Sequence, residues 1–524
     1  MRKIYITLVV LLLAMVGMAY LYFSNLNKET STNNLSLNAA SFNATIVFGF
    51  ENNKSFYDIL NGQDLFERVL GEEKSVDFKN LKELLLANEI DASMANQKVY
   101  ISILPGLNNK VDYLISTQVK EDTDVNKLMN GFGKSVKIDK INNLYKLSFA
   151  DTTSVFVGIK DQLILIANTE KPINDVLKLA LIENSTFANY ISKNSQYNKN
   201  VLASLYLNFN NSPKLLKNIL NSNLIGELSV FNKQNTFATL SYNFSTEKLL
   251  FNGSTEIIDE KSYYNLFAKM PEQKITINSI LPDKTANYVF YSFTNYASWY
   301  KGLTNWFNLN GESEKIRSAL NVIKDKYRVD LPKSLPQYFT NQLVTFELNS
   351  GEKFGAIALN NGEKLNQLLI DLSAEYATDI RIFKDPNIPY YFFGEPFKKF
   401  ERPFYTIIDN YLVMANNASS IQSFLNSYSK NELLVNAEHY IKFRDQISSS
   451  ATICFYVNSK NSSDIFGRNL KSPYYKQFQS SKGLKDFDAF CYQLSGDNDK
   501  FLSNLVLDKK VDKKDALDTL NINP

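Results

Sequence analysis

A pattern of polar and apolar positions in the first half of the chain occurs again 248 residues later. Residues 159–177 place a polar pair, an apolar run, a short polar break and an amphipathic segment in that order, and residues 407–425 repeat it. This order predicts a tight turn, a buried strand and a helix. Six of the 19 aligned positions are identical, against about one expected by chance, so we predict an internal repeat. The identical pairs are Ile159/Ile407, Asp161/Asp409, Ala167/Ala415, Asn168/Asn416, Ile173/Ile421 and Leu177/Leu425.

The match extends to both sides of this segment with a shift that drifts slowly. Phe50 aligns with Phe293 at a shift of 243, residues 96–97 align with 341–342 at 245, and Tyr206 aligns with Tyr456 at 250. A small drift over two hundred residues confines insertions to loops. We therefore predict two like repeats at 43–257 and 287–508, joined by a linker at 258–286.

Each repeat shows short apolar runs bounded by turn signals, with helical segments between them. Helices are predicted near 55–86 and 125–131 in the first repeat and near 297–326 and 364–372 in the second. Strands joined by turns of a few residues must run antiparallel. The predicted fold class is α+β, with a largely antiparallel sheet in each repeat and helices on one face of it.

The N-terminus carries a second hydrophobic pattern of a different kind. Arg2 and Lys3 precede an apolar run of 20 residues, 4–23, which as a helix is about 30 Å long and matches a bilayer core. The positive pair predicts a cytoplasmic N-terminus and an exported body. Residues 1–24 are therefore predicted to be a stub and single-pass inner-membrane anchor, with a cleaved signal peptide as the alternative. Residues 25–42 are polar and predict a flexible tether, and 509–524 predict a charged tail.

Composition narrows the function classes. Lys and Arg number 57 and Asp and Glu 54, for a net charge of +3, and no basic stripe is present, so a nucleic-acid partner is not expected. The 30 Tyr and 37 Phe residues indicate a β-rich, aromatic interior.

Two cysteines, Cys454 and Cys491, align with Ser204 and Ser241 at a shift of 250. A disulfide between two strands is one interpretation, and it requires Cα atoms within about 7 Å. Two buried thiols are the alternative. The count permits export without proving it.

Candidate chemistry is sparse. His439 is the only histidine, which removes any two-histidine metal site, and its place in a predicted helix favours a surface or half-buried structural residue. The sequence contains no phosphate-binding glycine-rich loop, no HExxH and no GxSxG. Acidic clusters sit in turns or before helices, where turn and capping roles explain them. We therefore expect no catalytic, cofactor or metal residues.

One segment departs from the symmetry of the repeat because it is unusually rich in aromatic rings. An exposed ledge of such rings could bind a partner protein, a glycan or an acyl chain, whereas packing into the core would require no ligand. The residues of this aromatic segment are Tyr390, Tyr391, Phe392, Phe393, Phe397, Phe400, Phe404 and Tyr405.

The repeat unit resembles a broad, uncharacterised bacterial family of membrane-anchored envelope proteins. The resemblance lies in Leu-Pro segments ahead of strands (281–282, 331–332 and 335–336), the amphipathic helix at 364–372 and the turn, strand and helix at 409–425. It implies a tandem fold over the whole exported body. It implies no catalytic residues, and the first repeat departs from it by lacking the Leu-Pro segments.

These observations predict a non-enzymatic envelope protein with an exported binding or scaffolding body. Its partners would be the membrane, through the N-terminal helix, and an envelope protein or an apolar ligand. The first alternative is a carrier or sensor of a lipid, acyl chain or glycan, which would need a cavity of at least about 300 Å³. The second is a hydrolase that uses only carboxylates facing each other across a cleft.

Overall fold

The computed structural model describes much of the chain between residues 34 and 510. The predicted anchor at 4–23, most of the helical segments at 55–86 and 125–131, and the tail beyond 510 lie outside the described residues. Within the described ranges, no helix is long and apolar enough to cross a membrane. The described residues are 34–53, 56–57, 79–80, 94, 97–120, 123–124, 129, 136–151, 153–178, 185–195, 201–222, 235–243, 245, 248–480 and 483–510.

The N-terminal part, residues 34–257, contributes ten described strands to one antiparallel sheet. Hydrogen-bonded neighbours follow the order β4-β5-β6-β7-β3-β2-β1-β8-β9-β10. The elements are α1 (Leu35–Ser41), β1 (Ile46–Glu51), β2 (Lys98–Pro105), β3 (Val111–Gln118), β4 (Lys137–Ile141), β5 (Leu144–Ser148), β6 (Ser154–Lys160), β7 (Leu163–Ala167), α2 (Glu170–Leu177), α3 (Thr186–Ser195), β8 (Ala203–Asn208), α4 (Ser212–Ile219), β9 (Thr236–Asn243) and β10 (Lys248–Ile257).

The C-terminal part, residues 285–510, contributes ten more strands, in the order β15-β16-β17-β18-β14-β13-β12-β20-β21-β22. Short α5 (Asn265–Ala268) and β11 (Gln273–Lys274) precede it. Its elements are β12 (Thr285–Ser292), α6 (Tyr296–Leu309), α7 (Ser313–Tyr327), α8 (Leu331–Ser334), β13 (Phe339–Leu348), β14 (Lys353–Leu359), α9 (Gly362–Leu369), β15 (Ser373–Ala377), β16 (Ile380–Phe383), α10 (Ile388–Phe393), β17 (Phe404–Ile408), β18 (Tyr411–Ala415), α11 (Ala418–Ser429), α12 (Glu438–Arg444), β19 (Ser450–Ala451), β20 (Ile453–Asn458), α13 (Ser463–Asn469), α14 (Ser472–Phe478), β21 (Phe487–Asp497) and β22 (Lys500–Lys509).

A single seam joins the two parts of the sheet. Strand β10 pairs antiparallel with β22 from Lys248 opposite Asp508 to Glu256 opposite Lys500, with Asn252 opposite Asn504 at the centre. Beside the seam, the Thr255 and Ser503 hydroxyls lie 2.7 Å apart in the buried interior. The twenty strands therefore form one continuous antiparallel sheet.

The segment that repeats in the sequence has the predicted turn, strand and helix at both places. Asp161 and Asp409 hold the turns with φ of 54° and 50°, the left-handed region that Asp tolerates better than most residues. Strands β7 and β18 follow, and helices α2 and α11 each begin three residues after the strand ends. The α+β class and the antiparallel sheet are confirmed.

Helices cover both faces of the sheet, so the prediction of helices on one face is wrong. Along β12, Tyr288 and Phe290 belong to one buried cluster, with α11 and α12, whereas Val289 and Tyr291 belong to another, with α6 and α10. Because successive side chains of a strand point to opposite faces, a strand that is apolar at every position needs cover on both sides.

The predicted tether at 25–42 is wrong for its last third. Residues 35–41 form α1, which is capped by the Asn34 side chain and packs against β2 and β3. The Ser102 and Ser116 hydroxyls donate to carbonyls of this helix at 2.7 Å each. Ser36, Asn38 and Ser41 of this helix are buried, which hydropathy alone does not reveal.

Candidate functional site

The aromatic segment lies in the core and does not form an exposed ledge. Seven of its eight rings are buried, with exposed fractions of 0–6%, and only Phe404 is half-buried. Its residues belong to α10, a 3-10 turn, the loop after that turn and β17. The buried members are Tyr390, Tyr391, Phe392, Phe393, Phe397, Phe400 and Tyr405.

Two glycines make room for these rings. Gly355 in β14 has Phe397 against it, where a Cβ would lie 2.6 Å from the nearest ring carbon. Gly394 has φ of 72° and ends α10, so that the Phe393 carbonyl accepts a 2.7 Å hydrogen bond from the Tyr263 hydroxyl. The segment thus anchors α10 between the sheet and α6, and its rings are unavailable to a partner.

The cysteines are free, buried thiols. Cys454 in β20 and Cys491 in β21 have Sγ atoms 3.6 Å apart. Burial raises the pKa of the Cys491 thiol well above its usual value, and Cys454 adds to the rise. The pairing of Tyr456 with Cys491 matches that of Tyr206 with Thr239, so the counterpart of Cys491 is Thr239 and not Ser241.

His439 is a half-buried residue of α12. Burial lowers its pKa, and the Lys460 ammonium adds to this, whereas Asp488 and Asp283 act in the opposite direction. No group of three or more His, Cys, Asp or Glu residues that could hold a metal occurs among the described residues.

A cleft of about 190 Å³ lies on the surface of the N-terminal part. It opens where the C-terminal end of α1, the turn between β2 and β3, and helices α2 and α4 meet. Apolar side chains form its walls and polar groups lie at its floor and rim. The lining residues are Phe42, Asn43, Leu104, Pro105, Asp112, Leu114, Lys171, Pro172, Asp175, Val176, Asn211 and Lys214.

The cleft contains a buried carboxylate, Asp112, whose residue is only 4% exposed. Its Oδ1 accepts a 3.2 Å hydrogen bond from Asn168 Nδ2, and Asn168 Oδ1 in turn accepts from the Tyr113 backbone N–H at 2.9 Å. Its Oδ2 has no hydrogen-bond donor among the described residues. Because Asp112 lines the cleft and no donor among the described residues occupies this oxygen, it is available to a ligand.

The backbone beside Asp112 is held in place from α4. A Cβ at Gly106 would lie 2.7 Å from Asp112 Oδ2, so any larger residue at position 106 would displace the carboxylate. Asn218 Nδ2 donates to the carbonyls of Gly106 and Lys110 at 2.8 Å each. Tyr474 of the C-terminal part donates to the Asn109 carbonyl at 2.9 Å. Burial raises the pKa of Tyr474, and the Asp112 charge contributes to the rise.

The rim of the cleft carries two ammonium groups. Lys171 forms an ion pair with Asp175 one helical turn along α2. Lys214 is exposed in α4 and forms no hydrogen bond or ion pair with the part of the chain that the structure describes. The lining charges are thus two negative and two positive, and Lys214 is the cation left open to a ligand.

The corresponding place in the C-terminal part is filled. By strand pairing, Asp112 opposite Leu104 corresponds to Glu352, which continues the ladder opposite Leu348. Glu352 Oε1 accepts from Ser420 Oγ at 2.7 Å and Oε2 accepts from Ser350 Oγ at 2.8 Å. Ser420 stands where the N-terminal part has Pro172, which has no hydroxyl to donate. The open carboxylate is therefore specific to the N-terminal part.

The sequence analysis identified none of the charged groups of this cleft. Asn168 was noted only as one identity of the repeat. The N-terminal part has Asp112 and Pro172 where the C-terminal part has Glu352 and Ser420. This difference can be read from the sequence only when β3 is aligned with β14 at a shift of 240. The turn between β2 and β3 is longer than its counterpart, so the sequence alone does not reveal that shift.

Comparison with known proteins provides no relative: no family model, curated protein or solved structure matches this chain.

Proposed function

We propose that this protein is a non-enzymatic cell-envelope protein, anchored in the inner membrane, whose exported body binds a partner or ligand and holds it on a rigid sheet. The observation that carries the proposal is the cleft beside Asp112, which is open in one part of the sheet while its counterpart beside Glu352 is filled by serine hydroxyls. Asp112 lines the cleft and its Oδ2 accepts no hydrogen bond from the described residues, so a ligand in the cleft can donate to it without displacing a protein group.

The body consists of two halves that arose by duplication, with only one specialised for binding. Their strand pairings, read from β4 to β10 and from β15 to β22, follow the same order. Two pairs across the junction also join equivalent positions: Asn252 with Asn504 and Leu220 with Leu470. Identical modules joined by the same patch on each side meet around a two-fold axis.

The anchor follows from the apolar run at 4–23, which has the length of a bilayer core. Helix α1 begins only 11 residues after that run ends, and it packs on the sheet face that carries the cleft. A linker of about a dozen residues spans at most roughly 40 Å, which would hold the body close to the membrane surface.

The carrier alternative receives less support from the described residues. A lipid or acyl carrier needs an apolar pocket of at least about 300 Å³, whereas the cleft encloses about 190 Å³ and has four charged residues in its lining. A hydrolase built on this cleft would use its two carboxylates, Asp112 and Asp175, and the latter already pairs with Lys171.

In-cell photo-cross-linking of the full chain tests the proposal. A photoreactive amino acid at Lys171, an exposed residue of α2 on the cleft rim, should give a cross-linked product that mass spectrometry can identify. The matched control is Ser419, the exposed residue at the equivalent place in α11 of the C-terminal part.

Equal products from both positions, or none from Lys171 over several growth conditions, would contradict a binding role for the cleft. Fractionation of the same cells tests the anchor: we expect the chain in the inner membrane, and a variant lacking residues 1–24 should lose that location.

A further inference from the structure

We infer that the cleft binds a small zwitterion: a ligand with an ammonium group that reaches Asp112 and an anionic group that reaches Lys214. This deepens the proposed function and rests on the cleft being a binding site.

The floor selects a hydrogen-bond donor with positive charge. Asp112 is 4% exposed, and Asn168 satisfies only its Oδ1. A charge-assisted hydrogen bond to an ionised carboxylate is roughly twice as strong as a neutral one, so an ammonium group is favoured over a hydroxyl. An anion is excluded from this oxygen by like-charge repulsion.

The walls limit the size of the ligand and require an apolar stem. Leu104, Leu114, Pro172 and Val176 are buried side chains that line the cleft between floor and rim. An apolar cavity of about 150 Å³ holds benzene, with six non-hydrogen atoms. The 190 Å³ of this cleft therefore accommodates about seven to nine such atoms, the size of a short amino acid.

The rim supplies the counter-charge. Lys171 is engaged by Asp175, whereas Lys214 has no partner among the described residues. A ligand with a single positive charge would neutralise Asp112 and leave Lys214 unpaired at the mouth. A zwitterion of the size that the cleft admits meets both groups.

The corresponding place beside Glu352 in the C-terminal part shows which groups can occupy such a site. In the C-terminal part, the Ser420 hydroxyl donates to Glu352 at 2.7 Å, and Arg468 lies against the turn at Gly351, with a guanidinium nitrogen 3.0 Å from where a Cβ would be. In the N-terminal part Pro172 and Asn218 take these places. A donor supplied from outside can therefore reach Asp112 but not Glu352.

The test is a titration of the purified, detergent-solubilised full chain followed by calorimetry and thermal unfolding. The probes are 4-aminobutanoate and 6-aminohexanoate, with hexanoate lacking the ammonium and hexylamine lacking the anion. We expect saturable binding of at least one amino acid probe, at least tenfold tighter than that of hexanoate or hexylamine, and a melting temperature that rises with its concentration.

Variants assign the binding to this cleft. Asp112→Asn keeps the shape and should weaken the amino acid at least tenfold, whereas Glu352→Gln should leave its Kd unchanged. Pro172→Ser, which supplies the hydroxyl found at Ser420, should also weaken it, and Lys214→Ala, on the exposed rim, should weaken 6-aminohexanoate but not hexylamine.

The inference is overturned if none of the amino acid probes binds, if hexanoate binds as tightly as 6-aminohexanoate, or if Asp112→Asn and Lys214→Ala both leave Kd unchanged. A specific cross-link at Lys171 together with failure of all four probes would retain the binding function and reject the zwitterion. Loss of the cross-link itself would reject the binding function.

Discussion

Truncation of Phe397 tests whether the aromatic segment is a structural core. This ring is 0% exposed, and its neighbours include Phe393, with ring centroids 5.1 Å apart, and Gly355. Burying a phenylalanine removes about 150–200 Å² from water, which at roughly 25 cal/mol per Å² contributes about 4–5 kcal/mol. Phe→Ala substitutions in cores cost about 3–5 kcal/mol.

The expected change in melting temperature follows from the size of the chain. Unfolding entropy is about 2.1 cal/mol/K per residue, or roughly 1.1 kcal/mol/K for 524 residues. Because the sheet is continuous across the seam, we expect the body to unfold as one unit. Phe397→Ala should then lower the melting temperature by about 3–5 °C.

Intrinsic fluorescence is a suitable assay because the only two tryptophans, Trp299 and Trp306, are buried in α6 within the same core cluster. The control is Tyr376→Ala, an aromatic truncation in β15 at a side chain that is 62% exposed, which should shift the melting temperature by less than about 1 °C. If Phe397→Ala shifts it no more than Tyr376→Ala does, the core assignment is wrong.

Three further predictions concern other parts of the fold. Gly253→Ala in β10 should destabilise the chain by at least about 2 kcal/mol, because its Cβ would lie 1.9 Å from a backbone oxygen of the adjacent strand β9. Gly302→Ala in α6, where the nearest atom is a side-chain carbon at 3.4 Å, should be neutral or stabilising, and chemical denaturation compares the two. Native protein at pH 8 should resist alkylation at Cys454 and Cys491, because both thiols are buried and the pKa of Cys491 is raised. The unfolded chain should react at both. Rapid labelling of either cysteine in the native protein would refute their burial. Burial lowers the folded-state pKa of His439. The stability that neutral His439 contributes is therefore present above about pH 6.5 and is lost as the pH falls through the folded pKa. Between pH 7.5 and pH 5, the melting temperature should drop less in His439→Asn than in the wild type.

The strands and hairpins were predictable because their signals are local. The turn at Asp161, the apolar run after it and the hairpins that close each repeat depend on neighbouring residues alone. Helices α6 and α7 likewise occupy the segment predicted near 297–326. Long, regular patterns of this kind do not require knowledge of distant contacts.

The alignment of the repeats was less accurate than it appeared from sequence. Phe50 pairs with Val99 and Ala203, and the residue that pairs in the same way in the C-terminal part is Tyr291, with Leu343 and Ile453. Phe293, chosen by identity, is two residues away. A slip of two keeps every side chain on its own face, so the hydrophobic pattern cannot detect it.

An alignment error of one residue would place side chains on the wrong face, and here only the structure reveals such an error. The shift of 245 at residues 96–97 would match Val99 with Val344, yet these lie in different buried clusters on opposite faces of the sheet. Both faces are apolar here, so alternation gives no warning. The cleft was missed for a related reason: its groups come from five separate elements, and only folding brings them together.

The pairing of β10 with β22 determines how a fragment that contains only the N-terminal part would associate. A chain that stops after residue 257 would expose the edge of β10, which in the whole protein has nine residues paired with β22, together with the uncovered aromatic side of Phe251. An unpaired strand edge of this length tends to pair with a strand of another chain. Because Asn252 lies opposite its own counterpart, two such fragments could join edge to edge in the same register, and the half-length protein should be a symmetric homodimer whose stability depends on its concentration.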